Sequence, residues 1–251
     1  MSAALLAPTL PLAACRNDPG DNDNGGDATE LTVFAAASLR TVMDQVGESF
    51  TAAHPGRAVR FSFAGSSDLV AQLDAGAPAD VLITADQNTM RRAQENGSIA
   101  GEPEVIATNV PVLVTAPGNP HGITTLVDAT TADVSLVTCA PQVPCGAAAA
   151  TVADEAGLTL EPVSEETSVT DVLGKVTSGQ ADAGIVYATD AISAGDTVHR
   201  LDLPGAEKAR TEYPAAVTAT ASAPDVARSF LDFLAGKETQ MLLADAGFGA
   251  P

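Results

Sequence analysis

The sequence predicts an α/β protein in which helices flank mainly parallel sheets. Two observations support this fold class. Short, continuous apolar runs recur along the chain, and runs of this length are typical of strands buried on both faces. Between them lie amphipathic stretches with helical periodicity, and strand–helix alternation favours mainly parallel sheets. The 251 residues suit one large domain or two lobes of about 100 residues each.

The elements follow in chain order. Three amphipathic stretches place apolar residues on one helical face, at 39–50, 169–176 and 226–234. Gly179 is positioned to end the second of these helices. Seven apolar runs are predicted as strands, at 31–37, 59–64, 80–85, 111–116, 134–139, 183–188 and 214–219.

The charge balance limits the classes of partner. There are 12 Lys and Arg residues against 32 Asp and Glu residues, which gives a formal charge of −20. Such a field repels nucleic acid and anionic membranes, so we expect no nucleic-acid partner. It also repels anionic ligands at long range, and a bound anion must therefore be held by short-range hydrogen bonds. The sequence contains no apolar run of about 20 residues, the length that spans a bilayer.

The N-terminal residues have the features of an export signal. Residues 1–14 contain a short apolar stretch that ends in small residues, as in a signal peptide. The sequence Leu12-Ala13-Ala14-Cys15 resembles a bacterial lipobox, in which the cysteine is lipidated and becomes the mature N-terminus. Residues 15–29 lack large apolar side chains after Cys15, and we predict a flexible linker. The expected location is extracytoplasmic and lipid-anchored to the cell membrane; an ordinary leader with an incidental cysteine is the alternative.

Small polar residues stand at the junctions where predicted strands lead into helices. These junctions contain Ser38, Gly65-Ser66, Cys145-Gly146 and Ser168-Val169. A helix start offers unpaired N–H groups and a positive dipole end, and glycine lets a ligand approach the backbone. If several starts converged, they would bind a small, fully ionised anion. Each serine alone is also an ordinary helix cap, and periodicity cannot show convergence.

Six segments of the chain resemble the signature segments of periplasmic molybdate-binding proteins. The resemblance extends over residues 31–251. It implies a two-lobed periplasmic-binding-protein fold of type II, with a ligand cleft between lobe I (30–110 and 215–251) and lobe II (111–214). The segments are VFAAASL (33–39), FAGSSDL (63–69), GAPADVLITAD (76–86), VPCG (143–146), GIVYATDA (184–191) and EYPAAV (212–217).

The resemblance also implies a ligand set. Ser38 and Ser66 match serines that donate hydrogen bonds to the ion, and Tyr187 matches a tyrosine that contributes its hydroxyl. Cys145 and Val169 match backbone N–H donors. Cys145 stands where the family commonly has alanine, and the residues flanking Val169 differ from the family's. No side chain is expected to bind a metal cation directly, and no cofactor is expected besides the molybdate or tungstate ligand. The implied partner is the membrane permease of an ABC importer, and we expect a monomer.

The chemistry of this ligand set agrees with molybdate. Molybdate is a dianion that only accepts hydrogen bonds, and the predicted shell contains donors and no carboxylate. Phosphate still carries at least one proton at neutral pH, because its last proton is lost only in strong base, and a phosphate site often includes an aspartate that accepts this proton. Sulfate offers the same acceptors, so a sulfate or other tetrahedral-oxyanion binding protein is the alternative. Tungstate would be nearly indistinguishable from molybdate.

Motifs of common enzyme classes are missing from the sequence. There is no G-x-S-x-G elbow, Walker loop, H-E-x-x-H motif or metal-spaced Cys/His cluster. The 3 histidines lie in polar, loop-like contexts. We therefore expect a protein without enzymatic activity, and a hydrolase that uses Ser66 is the weaker alternative.

The two remaining cysteines are expected to form a disulfide. Cys139 and Cys145 are left once Cys15 is assigned to a lipid, and the exported compartment is oxidising. Pro141 and Pro144 favour a turn between them. Two buried free thiols are the alternative.

The lipid anchor can be tested by replacing Cys15. Cys15→Ser should release the protein into the medium or leave it unprocessed, because the acceptor thiol is lost. Mass spectrometry of the mature wild-type N-terminus is the direct measurement. An unmodified N-terminus at another residue would refute the anchor.

Overall fold

The computed structural model describes residues 29–251. The predicted signal peptide 1–14, Cys15 and the linker up to residue 28 lie outside the described residues. Thr29, the last residue of the predicted linker, begins the first strand. None of the described helices is long and apolar enough to span a bilayer.

The described residues form strands and helices in alternation, with short 3₁₀ turns at Ala37–Leu39, Gly195–Thr197 and Ala206–Ala209. The strands are β1 (Thr29–Ala36), β2 (Arg57–Ala64), β3 (Val81–Ile83), β4 (Ile99–Asn109), β5 (Pro111–Thr115), β6 (Leu136–Cys139), β7 (Ser164–Glu166), β8 (Ala183–Tyr187), β9 (His199–Asp202) and β10 (Thr211–Thr218). The helices are α1 (Arg40–Ala53), α2 (Ser66–Asp74), α3 (Gln87–Glu95), α4 (Leu126–Ala129), α5 (Pro144–Glu155), α6 (Val169–Thr177), α7 (Ala188–Ala194), α8 (Pro224–Ala235) and α9 (Lys237–Asp245).

The strands form two sheets with the same arrangement. Their orders are β2-β1-β3-β10-β4 and β7-β6-β8-β5-β9. In each sheet one strand, β10 or β5, runs against the other four. The predicted α/β class with mainly parallel sheets is therefore confirmed. We call the first sheet with its helices lobe I and the second lobe II. The predicted boundary after residue 214 falls within β10, all of which pairs in the first sheet.

Each sheet is covered by helices on both faces. In lobe I, Val33 and Val81 face the cluster that contains the buried side of α1, whereas Phe34 and Leu82 pack with α2 and α3. In lobe II, Leu113 packs with α5 on one face, whereas Val112 and Val114 belong to the cluster that contains the buried side of α6. The helix starts that follow the parallel strands of both sheets line one cavity, so the carboxyl ends of these strands lie between the lobes. The predicted apolar face of α1 is buried, at Leu39, Val42, Met43, Val46 and Phe50.

Three strands were not predicted, and all three are edge strands. They are β4, β7 and β9. An edge strand has one partner and one free side, so it tolerates polar residues, proline and glycine. β4 contains Pro103 and Gly101, whose φ is 80°, and its pairing with β10 shifts register twice. Its sequence therefore lacks the continuous apolar run of an interior strand.

The buried carboxylate of Asp80 joins β1 and the start of α8 to β3. It accepts hydrogen bonds from the N–H groups of Thr32 (2.8 Å), Ser222 (2.7 Å) and Ala223 (3.3 Å), and from the Ser222 hydroxyl (2.9 Å). Burial by itself raises the pKa of Asp80, but these hydrogen bonds together outweigh it and hold the pKa below its ordinary value. The aspartate of the GAPAD segment is thus a structural residue of lobe I.

Asp80→Asn should lower the free energy of unfolding at neutral pH by about 2–4 kcal/mol, because an amide cannot accept all four bonds. The loss should shrink in acid. Because the pKa of Asp80 is lower in the folded protein than in the unfolded chain, the ionised carboxylate stabilises the fold at pH values above the ordinary pKa of the carboxyl. This stabilisation disappears as the pH falls through the lowered pKa. Denaturant titrations across this range test the claim, with the exposed Asp44→Asn as control. A loss that does not change with pH would contradict it.

Candidate functional site

Five helix starts meet at one cavity between the lobes. Ser38 lies in the 3₁₀ turn before α1, and Ser66 is the first residue of α2. Cys145 is the second residue of α5, Val169 is the first of α6, and Tyr187 immediately precedes α7. All five line the same cavity. The structure therefore brings together every residue of the ligand set that the resemblance implied.

The cavity is small, and none of the described residues that line it has a charged side chain. Its volume is about 20 Å³, and about 10–15 Å³ is enough for one water molecule. A space of this size suits a small ion rather than an organic solute. Positive potential comes from the ends of helices instead of from Lys or Arg. The remaining lining residues are Ala36, Ala37, Gly65, Ala85, Val143, Pro144, Thr167 and Ser168.

The Ser66 hydroxyl is held as a hydrogen-bond donor. Its Oγ accepts a hydrogen bond of 3.0 Å from the N–H of Ala85, and the residue is buried. Because the oxygen already accepts from the protein, its own proton is free for an acceptor in the cavity. Ser66 is the first residue of α2 and not its cap, which is Gly65, so its hydroxyl does not occupy the capping position.

Ser168 differs from Ser66, although it lines the same cavity. Its hydroxyl donates to the Asp171 carboxylate (2.7 Å) and accepts from the Asp171 N–H (3.3 Å), as an ordinary helix cap does. The group left for a ligand is the N–H of Val169. Pro144, at the start of α5, has no N–H, so the first donor of that helix is Cys145. Within residues 29–251, the N–H groups of Val169 and Cys145 have no hydrogen-bond partner.

Tyr187 contributes a buried hydroxyl that has no hydrogen-bond partner among the described residues. Burial, as the largest cause, raises the pKa of Tyr187 well above its ordinary value, so the hydroxyl keeps its proton. Leaving a buried donor unpaired costs about 1–3 kcal/mol. Asp190 positions this residue by accepting its N–H at 3.0 Å. Burial raises the pKa of the Asp190 carboxyl to about 7.

The sequence matches a known family model. The model for bacterial extracellular solute-binding proteins matches residues 31–249. The chain belongs to this family. It is 43% identical to the molybdate-binding protein ModA of Mycobacterium tuberculosis, over 100% of this chain and 96% of that protein.

Two solved structures share the two-lobed fold of this solute-binding protein. The periplasmic molybdate-binding protein of Azotobacter vinelandii has a TM-score of 0.77 at 23% identity, covering 88% of this chain and 99% of that one. The sulfate-binding protein SubI of Mycobacterium tuberculosis has a TM-score of 0.73 at 24% identity, covering 88% and 86%. Their likeness confirms the predicted periplasmic-binding-protein fold.

The predicted disulfide of the solute-binding protein is confirmed. Cys139, at the end of β6, is bonded to Cys145, at the start of α5. The bond joins a strand end to the helix that supplies one of the cavity's N–H donors. It therefore restricts the movement of that donor relative to the second sheet.

Two glycines have a packing role that the sequence does not predict. A Cβ at Gly65 would lie 2.0 Å from the carbonyl oxygen of Thr167, and one at Gly146 would lie 2.0 Å from that of Ala140. Both spaces are filled by protein backbone. Sequence reasoning could not find these contacts, because the partners come from other loops. That these glycines also let a ligand approach the backbone stays a prediction.

The Gly65 contact joins the two lobes beside the cavity. Gly65 precedes α2 of lobe I, and Thr167 precedes α6 of lobe II. The Ser67 hydroxyl makes a second link by donating to the carbonyl of Gln142 at 2.9 Å. Close approach of the two lobes at this point therefore requires that residue 65 has no side chain.

Gly65→Ala should keep the lobes apart, because the clash is with backbone and cannot be relieved by a side-chain rotation. We expect affinity for molybdate, the ligand predicted from the sequence, to fall by at least about tenfold, or 1.4 kcal/mol. Small-angle scattering with saturating molybdate should show a larger radius of gyration than wild type. Gly174→Ala, in α6 with no atom near the added Cβ, is the control. Compaction and affinity like those of wild type would contradict the role of Gly65.

Proposed function

We propose that this solute-binding protein captures molybdate, and also tungstate, outside the cytoplasm and delivers it to the membrane permease of an ABC importer. The observation that carries the proposal is that hydrogen-bond donors converge on a small cavity, and that none of the described residues lining it has a charged side chain. The relatives named as molybdate-binding proteins support the same ligand.

The donor set fits an anion that carries no proton. The Ser66 and Tyr187 hydroxyls and the N–H groups of Cys145 and Val169 can each donate one hydrogen bond. Molybdate accepts all of them and offers no proton in return. Hydrogen phosphate would bring a proton that needs an acceptor, and no carboxylate lines the cavity among the described residues. The proposed selectivity therefore depends first on whether the anion carries a proton.

Sulfate is the second candidate, because it is also fully ionised and the sulfate-binding protein SubI has the same fold. Hydrogen-bond chemistry does not separate sulfate from molybdate. The size of the closed site must do so, since the larger molybdate reaches donors that a smaller ion would leave too distant. Relative affinity is therefore the deciding measurement between the two ions.

Transport rather than catalysis agrees with the surroundings of Ser66. Its hydrogen-bond partner is the N–H of Ala85, not a base that could remove its proton. Within residues 29–251, no three His, Cys, Asp or Glu side chains are grouped as in a metal site. We propose a monomer without enzymatic activity or cofactor, tethered to the membrane through a lipid on Cys15.

Calorimetric titration with molybdate, tungstate, sulfate and phosphate tests the ligand. Molybdate and tungstate should bind most tightly, and phosphate should not compete. Tighter binding of sulfate would favour the alternative function, and no binding of any oxyanion would refute the proposal.

Ser38→Ala and Ser66→Ala should each weaken molybdate binding by about ten- to hundredfold, as expected for one hydrogen bond to a charged ligand. Ser168→Ala is the matched control: it lines the cavity, but its hydroxyl is already bonded to Asp171. Its effect on affinity should be much smaller. If Ser168→Ala weakened binding as much as Ser66→Ala, the assignment of donors would be wrong.

A further inference from the structure

The Ser38 hydroxyl is the end of a buried chain of hydrogen bonds that begins where the polypeptide crosses between the lobes. Ser38 Oγ lies 2.9 Å from the Tyr213 hydroxyl. Asn109 Nδ2 donates to the same hydroxyl at 3.3 Å and to Thr189 Oγ1 at 2.8 Å. Asn109 is the last residue of β4, immediately before the chain enters lobe II, and it is buried.

The orientation of the Asn109 amide is fixed by its neighbour. Asn109 Oδ1 accepts a hydrogen bond of 3.0 Å from the N–H of Val110. If the amide were flipped, its NH₂ group would face that N–H, donor against donor. The NH₂ group must therefore face Tyr213 and Thr189, and Asn109 donates to both.

This orientation determines where the Tyr213 proton goes. Tyr213 accepts from Asn109, and Ser38 Oγ, at 2.9 Å, is its other hydrogen-bond partner among the described residues; the Thr211 hydroxyl lies nearby but is left without a hydrogen bond. The hydroxyl stays protonated, because burial raises the pKa of Tyr213 far above its ordinary value. The ring is held by edge-to-face packing on Phe248, with centroids 5.3 Å apart. Tyr213 therefore donates to Ser38 Oγ.

We propose that Asn109, acting through Tyr213, is a positioning residue that commits the Ser38 proton to the ligand. Ser38 Oγ accepts from Tyr213, as Ser66 Oγ accepts from Ala85, so both serines present protons to the cavity. The site is thereby set to bind anions without a proton and to reject protonated ones. This inference rests on the proposed function, since it explains how the site selects among oxyanions.

Asn109→Asp is the sharpest test, because it keeps the size of the side chain and reverses the direction of the hydrogen bonds from residue 109 to Ser38. A carboxylate accepts from Tyr213, Tyr213 then accepts from Ser38, and Ser38 presents a lone pair to the cavity. Molybdate affinity should fall by about ten- to hundredfold. The ratio of molybdate to phosphate affinity should fall by at least about tenfold, because Ser38 could then accept the phosphate proton.

The affinity ratio separates this effect from simple charge repulsion. At about pH 8, which lies between the second and third pKa of inorganic phosphate, most of this ion is the singly protonated dianion. Molybdate and phosphate then carry the same charge, and the added carboxylate repels both. A purely electrostatic or structural effect would lower both affinities and leave the ratio unchanged, and that result would overturn the proposal.

Two further variants test whether the effect passes through Ser38. In a Ser38→Ala background, Asn109→Asp should not change the ratio again; an equal change would overturn the proposal. Tyr213→Phe removes the link without adding charge, so it also serves if Asn109→Asp fails to fold. It should lower the ratio of molybdate to phosphate affinity by about three- to tenfold, because a Ser38 hydroxyl without its hydrogen bond to Tyr213 can either donate to the ligand or accept from it. An unchanged ratio in Tyr213→Phe would refute the relay. Failure of wild type to bind molybdate would refute the proposed function instead.

Discussion

In the proposed function, hydrogen bonds donated from helix starts to a buried anion are the interaction on which the rest of the structure depends. The net charge of −20 opposes the approach of an anion, and the described cavity lining offers no cation in compensation. Attraction must come from groups that act only at contact: helix dipoles, N–H groups and hydroxyls. Such groups do not need to be neutralised when the ligand leaves, which suits a protein that must release its cargo.

Much of the surrounding structure keeps these donors in place. The disulfide holds the start of α5 against the second sheet, and Asp190 holds the backbone of Tyr187. Gly65 allows the lobes to meet beside the cavity. Ser66 Oγ accepts a hydrogen bond from the N–H of Ala85, and Ser38 Oγ accepts one from the Tyr213 hydroxyl, so both serines direct their protons into the cavity. A small ion makes few contacts, so a misplaced donor removes a large share of the binding energy.

The fold could be predicted from the sequence at every interior strand and at the edge strand β2, and it could not at the other three edge strands. The apolar runs of β1, β3, β5, β6, β8 and β10 reflect burial on both faces, whereas β4, β7 and β9 lack this constraint. The five ligand-set residues were found through resemblance, because periodicity cannot show that helix starts converge. The link from Asn109 to Tyr213 joins residues 104 positions apart, and no local pattern reveals it.

The most direct test of the central claim is a crystal structure of the protein with molybdate, measured at the molybdenum absorption edge. The anomalous signal locates the metal without reference to any assumed site. We predict one strong peak in the cavity, with oxygens within hydrogen-bonding distance of the Ser38 and Ser66 hydroxyls and of the N–H groups of Cys145 and Val169. A peak elsewhere, or an ion held by Lys or Arg side chains, would contradict it.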